Sequence, residues 1–146
     1  MIGAEADVVG LAAKSLSGEL ADIVLAARRH LGRGRVADMV VVAATACLII
    51  LLTELTSNTA TTAAFLPVLG SVALQADLQP LTLAVPTALA ASCAFMLPVA
   101  TPPNAIVFGT GYVGIPDMLR VGIVLNVLGV VVITAMTQSI LPYMFS

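Results

Sequence analysis

Charge is what this chain has least of: of 146 residues only 6 are Lys or Arg and 8 are Asp or Glu, 10% in all, for a net charge of −2. A soluble domain carries about 25% charged residues, so an ordinary water-facing fold is excluded. So small a net charge also gives nucleic acid no electrostatic footing, and no nucleic-acid partner is expected. Histidine is reduced to His30, which sits among Arg28, Arg29, Arg33 and Arg35 in a solvated setting and argues against an enzyme. The two cysteines, Cys47 and Cys93, fall in apolar runs where a thiol behaves as a small hydrophobe, and they imply neither a disulfide nor a metal site. The first thirty residues lack an apolar core followed by a small-residue cleavage site, so no signal peptide is expected and insertion must rest on later segments.

What is present is apolar: 60% of residues are hydrophobic and the mean hydropathy is +1.09. That composition makes the chain an integral membrane protein, and its segments all read as helices, an all-α fold. Residues 1–35 read as an amphipathic interfacial helix and linker. Leu16, Leu20, Ile23, Ala27 and Leu31 share one helical face while Glu19, Asp22 and Arg29 point elsewhere. The tetrapeptide Gly32-Arg33-Gly34-Arg35 ends that helix, and the arginines read as a membrane-surface flank.

Residues 36–76 predict a re-entrant helical hairpin. The uncharged run 39–53 would span about 22 Å as a helix, short of a hydrocarbon core of about 30 Å. It ends in a cluster of small polar side chains, Thr53, Glu54, Thr56, Ser57, Asn58 and Thr59, after which apolar sequence resumes with Pro67 and Gly70 inside it. Hydrocarbon cannot satisfy such groups, so they must bind something or each other, at backbone that is buried in protein or lines a watery cavity. One continuous helix over 39–76 would be about 57 Å long and would overshoot the bilayer even when tilted.

Residues 80–110 predict a broken transmembrane helix. No charge occurs between Leu78 and Ile115, too long a stretch for one straight helix, and Pro98, Pro102 and Pro103 interrupt it. A helix over about 81–97 should stop within the membrane and a second half-helix resume near Asn104. Gly109, Gly111, Gly114 and Pro116 make a surface loop bounded by Asp117 and Arg120. Residues 119–145 then read as a final transmembrane helix, with Asn126 and Gln138 suited to helix–helix hydrogen bonds.

Both interruptions expose carbonyls, hydroxyls and amides. A helix C-terminus offers carbonyl oxygens that suit a dehydrated sodium ion, and a helix N-terminus offers N–H groups that suit an anion. Discontinuous helices bring both kinds of site to the midplane of secondary transporters. Each threonine alone is better explained as bonding back to its own helix. The set together points to a binding site.

The segment Thr-Glu-Leu-Thr-Ser-Asn-Thr-Ala at 53–60 is followed about forty residues later by Ala-Ser-Cys-Ala-Phe-Met-Leu-Pro-Val-Ala-Thr-Pro-Pro-Asn-Ala-Ile-Val-Phe-Gly at 91–109. In that order and spacing they strongly resemble the divalent anion/sodium symporter family, whose bacterial members include sodium-coupled dicarboxylate transporters. The resemblance covers residues 36–146 and implies the C-terminal repeat of an inverted-repeat transporter in the cell inner (plasma) membrane, multi-pass, with no cofactor beyond the coupling ion. It implies that Thr53, Thr56, Asn58 and the carbonyl of Ala100 coordinate sodium. It implies that Asn58, Thr59, Thr101 and Pro102 line the contact with a substrate carboxylate. A C4 dicarboxylate is the anion the Ala-Thr-Pro-Pro-Asn wording favours over citrate or sulfate.

Family members are about three times longer, dimerise through scaffold helices, and carry a first repeat with its own Ser-Asn-Thr hairpin. Only one such motif occurs here, so the expectation is a C-terminal fragment holding half a site. The alternatives are a half-size subunit that needs a partner, or an inactive remnant. Glu54 remains open between a role in the ion site or a proton relay and a structural capping role. Orientation is divided too: the arginines at 28–35, against Arg120 alone, favour a cytoplasmic first flank, whereas the resemblance implies an outside one.

Overall fold

Backbone placed in hydrocarbon must satisfy its own N–H and C=O groups, and a helix does so within one segment. The computed structural model describes the backbone of residues 2–32 and 34–144, and every regular element among them is helical. The order is α1 (Ile2–Leu31), α2 (Arg35–Thr53), α3 (Asn58–Gln75), α4 (Leu81–Ala90), α5 (Pro102–Gly109) and α6 (Ile115–Met144). Two of them, α2 and the stretch Ile115–Ile140 of α6, are long and apolar enough to cross a membrane.

Helix α1 stops where a glycine can take the left-handed conformation: Gly32 has φ +74. Arg33 of the expected terminator lies outside the described residues. The buried stripe of α1 is Leu20 and Val24, flanked by Ala21, Leu25 and Ala27, and it packs on α2 and α3. Of the apolar face expected to lie on the membrane, Leu20 is buried against the protein while Ile23 and Leu31 are about half exposed; the Leu16 side chain is outside the described ones. The stripe runs at i, i+4 from Leu20 through Val24 to Arg28, whose contacts set which face of α1 meets α2 and α3. Its guanidinium donates to the carbonyl of Ala76, at the end of α3, and pairs with Asp38, in the first turn of α2. Arg28 is therefore an internal tie and no part of the surface flank, whereas Arg29 and Arg35 are exposed.

That one side chain also fixes the course of α2 and α3. The start of α2 and the end of α3 both meet Arg28, while their other ends are joined by residues 54–57, so the chain doubles back as a helical hairpin. A single helix over 39–76 is ruled out. Helix α2 begins at Arg35, before the uncharged run, and its 19 residues rise about 28 Å, so shortness no longer argues against a crossing. Helix α3 continues through Pro67 and Gly70 without a break. It ends at a left-handed Asp77 (φ 54), where Leu78 N–H reaches the Ala73 carbonyl at 2.8 Å and Asp77 N–H reaches Leu74 at 3.2 Å.

Helix α4 lies against α2, α3 and α6, and the core closes around it through Ile49, Ile50, Phe65, Leu69, Leu83 and Ala90. It is shorter than expected, ending at Ala90 and not at Leu97, and the chain stays non-helical until Pro102. Helix α5 has no buried residue. A turn containing Gly111 (φ 74) leads into α6, which starts at Ile115 and takes Asp117 and Arg120 into its first turns. Between helices in lipid, close packing and polar pairing drive association more than the hydrophobic effect does.

Candidate functional site

The turn at 54–57 and the break at 91–101 meet through one side chain. Glu54 caps the C-terminus of α2, is 4% exposed, and turns its carboxylate onto the break. Its Oε1 accepts from the N–H groups of Phe95 (2.8 Å) and Met96 (2.9 Å), and its Oε2 from Met96 (3.0 Å) and Leu97 (3.0 Å). Asn126 of α6 donates its amide to Oε1 at 2.8 Å. Three consecutive N–H groups converging on one anion form a backbone nest, and bonds to a charged acceptor are about twice as strong as neutral ones. This explains why residues 91–97, with neither glycine nor proline, leave the helix before the prolines are reached. Donors that would have served the helix ladder serve Glu54.

The carbonyl side of the break is held by Asn104, whose amide donates to Ala94 and Leu97, both at 3.0 Å. Next comes the turn at 97–100, closed by Ala100 N–H on the Leu97 carbonyl at 3.2 Å, which keeps Ala100 within about 7 Å of Leu97. Thr101 is the N-cap of α5, its Oγ1 accepting from Asn104 N–H at 3.4 Å, and Pro102 follows at N1. Ala100 and Thr101 are half-buried and Pro102 is exposed, all at the start of a half-helix.

On the hairpin side, Thr53 is fully buried and its hydroxyl donates to the carbonyls of Ile49 (3.1 Å) and Ile50 (2.9 Å). Thr56 donates to Leu52 at 2.8 Å and lies 2.6 Å from the hydroxyl of Thr61. A hydroxyl whose proton is committed to a carbonyl keeps two oxygen lone pairs, so these bonds aim the oxygens and leave them able to meet a cation. Ser57 caps α3, accepting from Ala60 N–H at 3.5 Å, which puts Asn58 and Thr59 in the first turn, where N–H groups have no helical acceptor. Thr59 is exposed. The Oδ1 of Asn58 is buried and has no hydrogen-bond partner among the described residues. Among the described residues no hydrogen bond joins Asn58 or Thr59 directly to Thr101 or Pro102; the two groups are linked through Glu54.

The family model described as "Sodium:sulfate symporter transmembrane region" matches residues 8–145. The chain belongs to this sodium:sulfate symporter family. It is similar to the sodium-dependent dicarboxylate transporter SdcS of Staphylococcus saprophyticus, 47% identical over 107 residues, covering 73% of this chain and 21% of that protein. It is similar to solute carrier family 13 member 2 of Rattus norvegicus, 55% identical over 94 residues, covering 64% and 16%. It is also similar to the Na(+)/citrate cotransporter of Rattus norvegicus, 51% identical over 84 residues, covering 58% and 15%. The chain thus spans about a fifth or less of the curated relatives it matches. The resemblance to the divalent anion/sodium symporters holds, and the family is one of transporters, not enzymes.

Sequence reasoning singled out Glu54 without choosing its role, and it gave Asn104 and Thr61 none. Asn104 could have been found as the amide of the Pro-Pro-Asn motif at a half-helix start. Thr61 lies one helical turn beyond Ser57, and nothing in the sequence distinguished it from Thr62.

Proposed function

We propose that residues 36–146 form one half of a sodium-coupled anion transport site, with a C4 dicarboxylate as the anion and the cell inner membrane as its place. In this reading α2 and α3 are a re-entrant hairpin, α4 and α5 are the halves of a broken transmembrane helix, and α6 is a full span. Thr53, Thr56, Asn58 and the Ala100 carbonyl take the sodium ion. Asn58, Thr59, Thr101 and Pro102 take one substrate carboxylate, at the paired N-termini of α3 and α5. A first repeat of the family's kind supplies the rest of the cradle, and the whole transporter is a homodimer.

The observation that carries the reading is the Asn58 Oδ1: of the two buried amide oxygens without a donor among the described residues, Asn58 and Asn126, it is the one flanked in sequence by aimed threonine oxygens. Such orphans are rare in folded proteins, and a cation resolves this one. The names of the relatives, sodium-dependent dicarboxylate transporter and Na(+)/citrate cotransporter, point the same way. The test is a chimera in which this chain replaces the matching fifth of the staphylococcal transporter, assayed for labelled succinate uptake in sodium or choline medium. Sodium-dependent uptake that Asn58→Ala abolishes is the expected result. Uptake that survives Asn58→Ala with unchanged sodium dependence overturns the assignment.

The lack of any buried residue in α5 suits a second arrangement, a half-size subunit that docks on a separate polypeptide carrying the first repeat. Co-purification of such a polypeptide with the tagged chain from its own cells would select it; isolation of the chain without one would remove it.

A further inference from the structure

We infer that Glu54 is a positioning residue that couples the sodium end of the site to its substrate end, an inference that rests on the function proposed above. Glu54 sits between Thr53 and Thr56, so any ion gripped by those oxygens fixes the peptide on either side of it. Its carboxylate in turn grips three successive N–H groups, at Phe95, Met96 and Leu97, immediately before the turn that sets Ala100 and Thr101. No other described side chain bonds both segments. The five contacts use the carboxylate purely as an acceptor, and both oxygens are committed.

The same geometry gives Glu54 a second effect. A nest of free N–H groups binds anions, and this one would compete with the N-terminus of α5 for the substrate carboxylate. Glu54 fills it with an anion that cannot leave. The free N–H groups left for a diffusing anion are then those of the helix starts. Asn126 completes the hold from α6, and Gly122, one turn earlier on the same helix, allows it: a Cβ there would lie 2.6 Å from the Met96 Cα and 2.7 Å from the Phe95 carbonyl oxygen. Ion binding at the hairpin tip therefore reaches the substrate end through a rigid link, with the break pinned between a carboxylate on one side and a helix backbone on the other.

The experiment is amide hydrogen exchange on the purified chain in lipid nanodiscs, in sodium chloride against choline chloride, read separately at the tip (56–61) and at the break (95–97). In the unaltered chain sodium should slow exchange at both, by about tenfold at the break, the size of one charge-assisted hydrogen bond. In Glu54→Gln it should slow the tip only, because a neutral amide directs an NH2 group at the nest. Should that variant not fold, Asn126→Ala carries the test: it removes one donor, and the sodium response at the break should fall several-fold while that at the tip persists. An unchanged response at the break in either variant overturns the inference. Protection of the tip without the break in the unaltered chain also overturns it while leaving the sodium site standing. No response at either segment removes the sodium site itself and the inference with it.

Discussion

At the scale of single residues, space and hydrogen-bond bookkeeping separate positions that look alike in the sequence. Gly122 and Gly129 lie two turns apart on α6. A Cβ at Gly122 would meet the backbone of Phe95 and Met96 at 2.6 to 2.8 Å, whereas one at Gly129 would lie at 3.7 Å or more from Cys93 and Ile50 side chains. Backbone cannot rotate away as a side chain can, so Gly122→Ala should cost about 1–3 kcal/mol. Gly129→Ala should be neutral or gain up to about 1 kcal/mol from better helix propensity. Thermal unfolding midpoints in detergent check the pair, and equal midpoints would refute the close approach. Thr53 makes the complementary case. Its hydroxyl donates to two carbonyls of its own helix, and Ile50 O also accepts from Glu54 N–H at 3.3 Å, so Thr53→Val orphans no helix acceptor. The expected loss of stability is below about 1.5 kcal/mol. If the oxygen also meets sodium, the same variant in the chimera raises the sodium concentration needed for half-maximal uptake, and an unchanged sodium curve would assign Thr53 to helix structure alone.

At the scale of elements, the half-helix α5 stands apart because packing does nothing for it. It has 8 residues, none buried, and it depends on its cap and on the Asn104 bonds to the break. Helix α3 also has a side-chain cap, Ser57, but it has 18 residues and buries Thr61, Phe65, Leu69, Val72 and Ala73. Losing a cap costs about 0.5–2 kcal/mol in either place, yet a short unpacked helix has little else to draw on. Thr101→Val should therefore open the first turn of α5, seen as fast amide exchange at 104–106, while Ser57→Ala leaves the middle of α3 protected. Comparable opening in both helices would show that α5 has support beyond its cap. The existence of both interruptions was legible in the sequence, because prolines and clustered hydroxyls announce local breaks. The length of the second was not. Residues 91–97 carry no local breaker, and what unwinds them is a carboxylate some forty positions away, which no window of sequence can register.

At the scale of the whole molecule, one ion pair and one carboxylate organise six helices. Arg28 ties α1 to both ends of the hairpin, and Glu54 ties the hairpin tip to the break and to α6. The class and the helix count after residue 35 could be read from composition and motif. Which face of α1 meets the other helices could not, because Leu20 and Val24 are turned inward by where Arg28 must reach. What the fold offers to a ligand is then two buried amide oxygens without a hydrogen-bond partner among the described residues, on Asn58 at the hairpin tip and on Asn126 of α6, with two capped helix starts, a filled nest and an α5 that buries none of its residues. On the reading proposed above, an anion carrying two carboxylates finds donors here for one of them, and alternating access needs a second body against which these helices move. The chain alone, sealed in liposomes with an inward sodium gradient, should therefore take up no labelled succinate above protein-free vesicles, although sodium should still alter exchange at the hairpin tip. The two readouts separate binding from transport. Gradient-driven uptake by the chain alone would mean that it completes the cradle with a second copy of itself, and the half-site reading would fall.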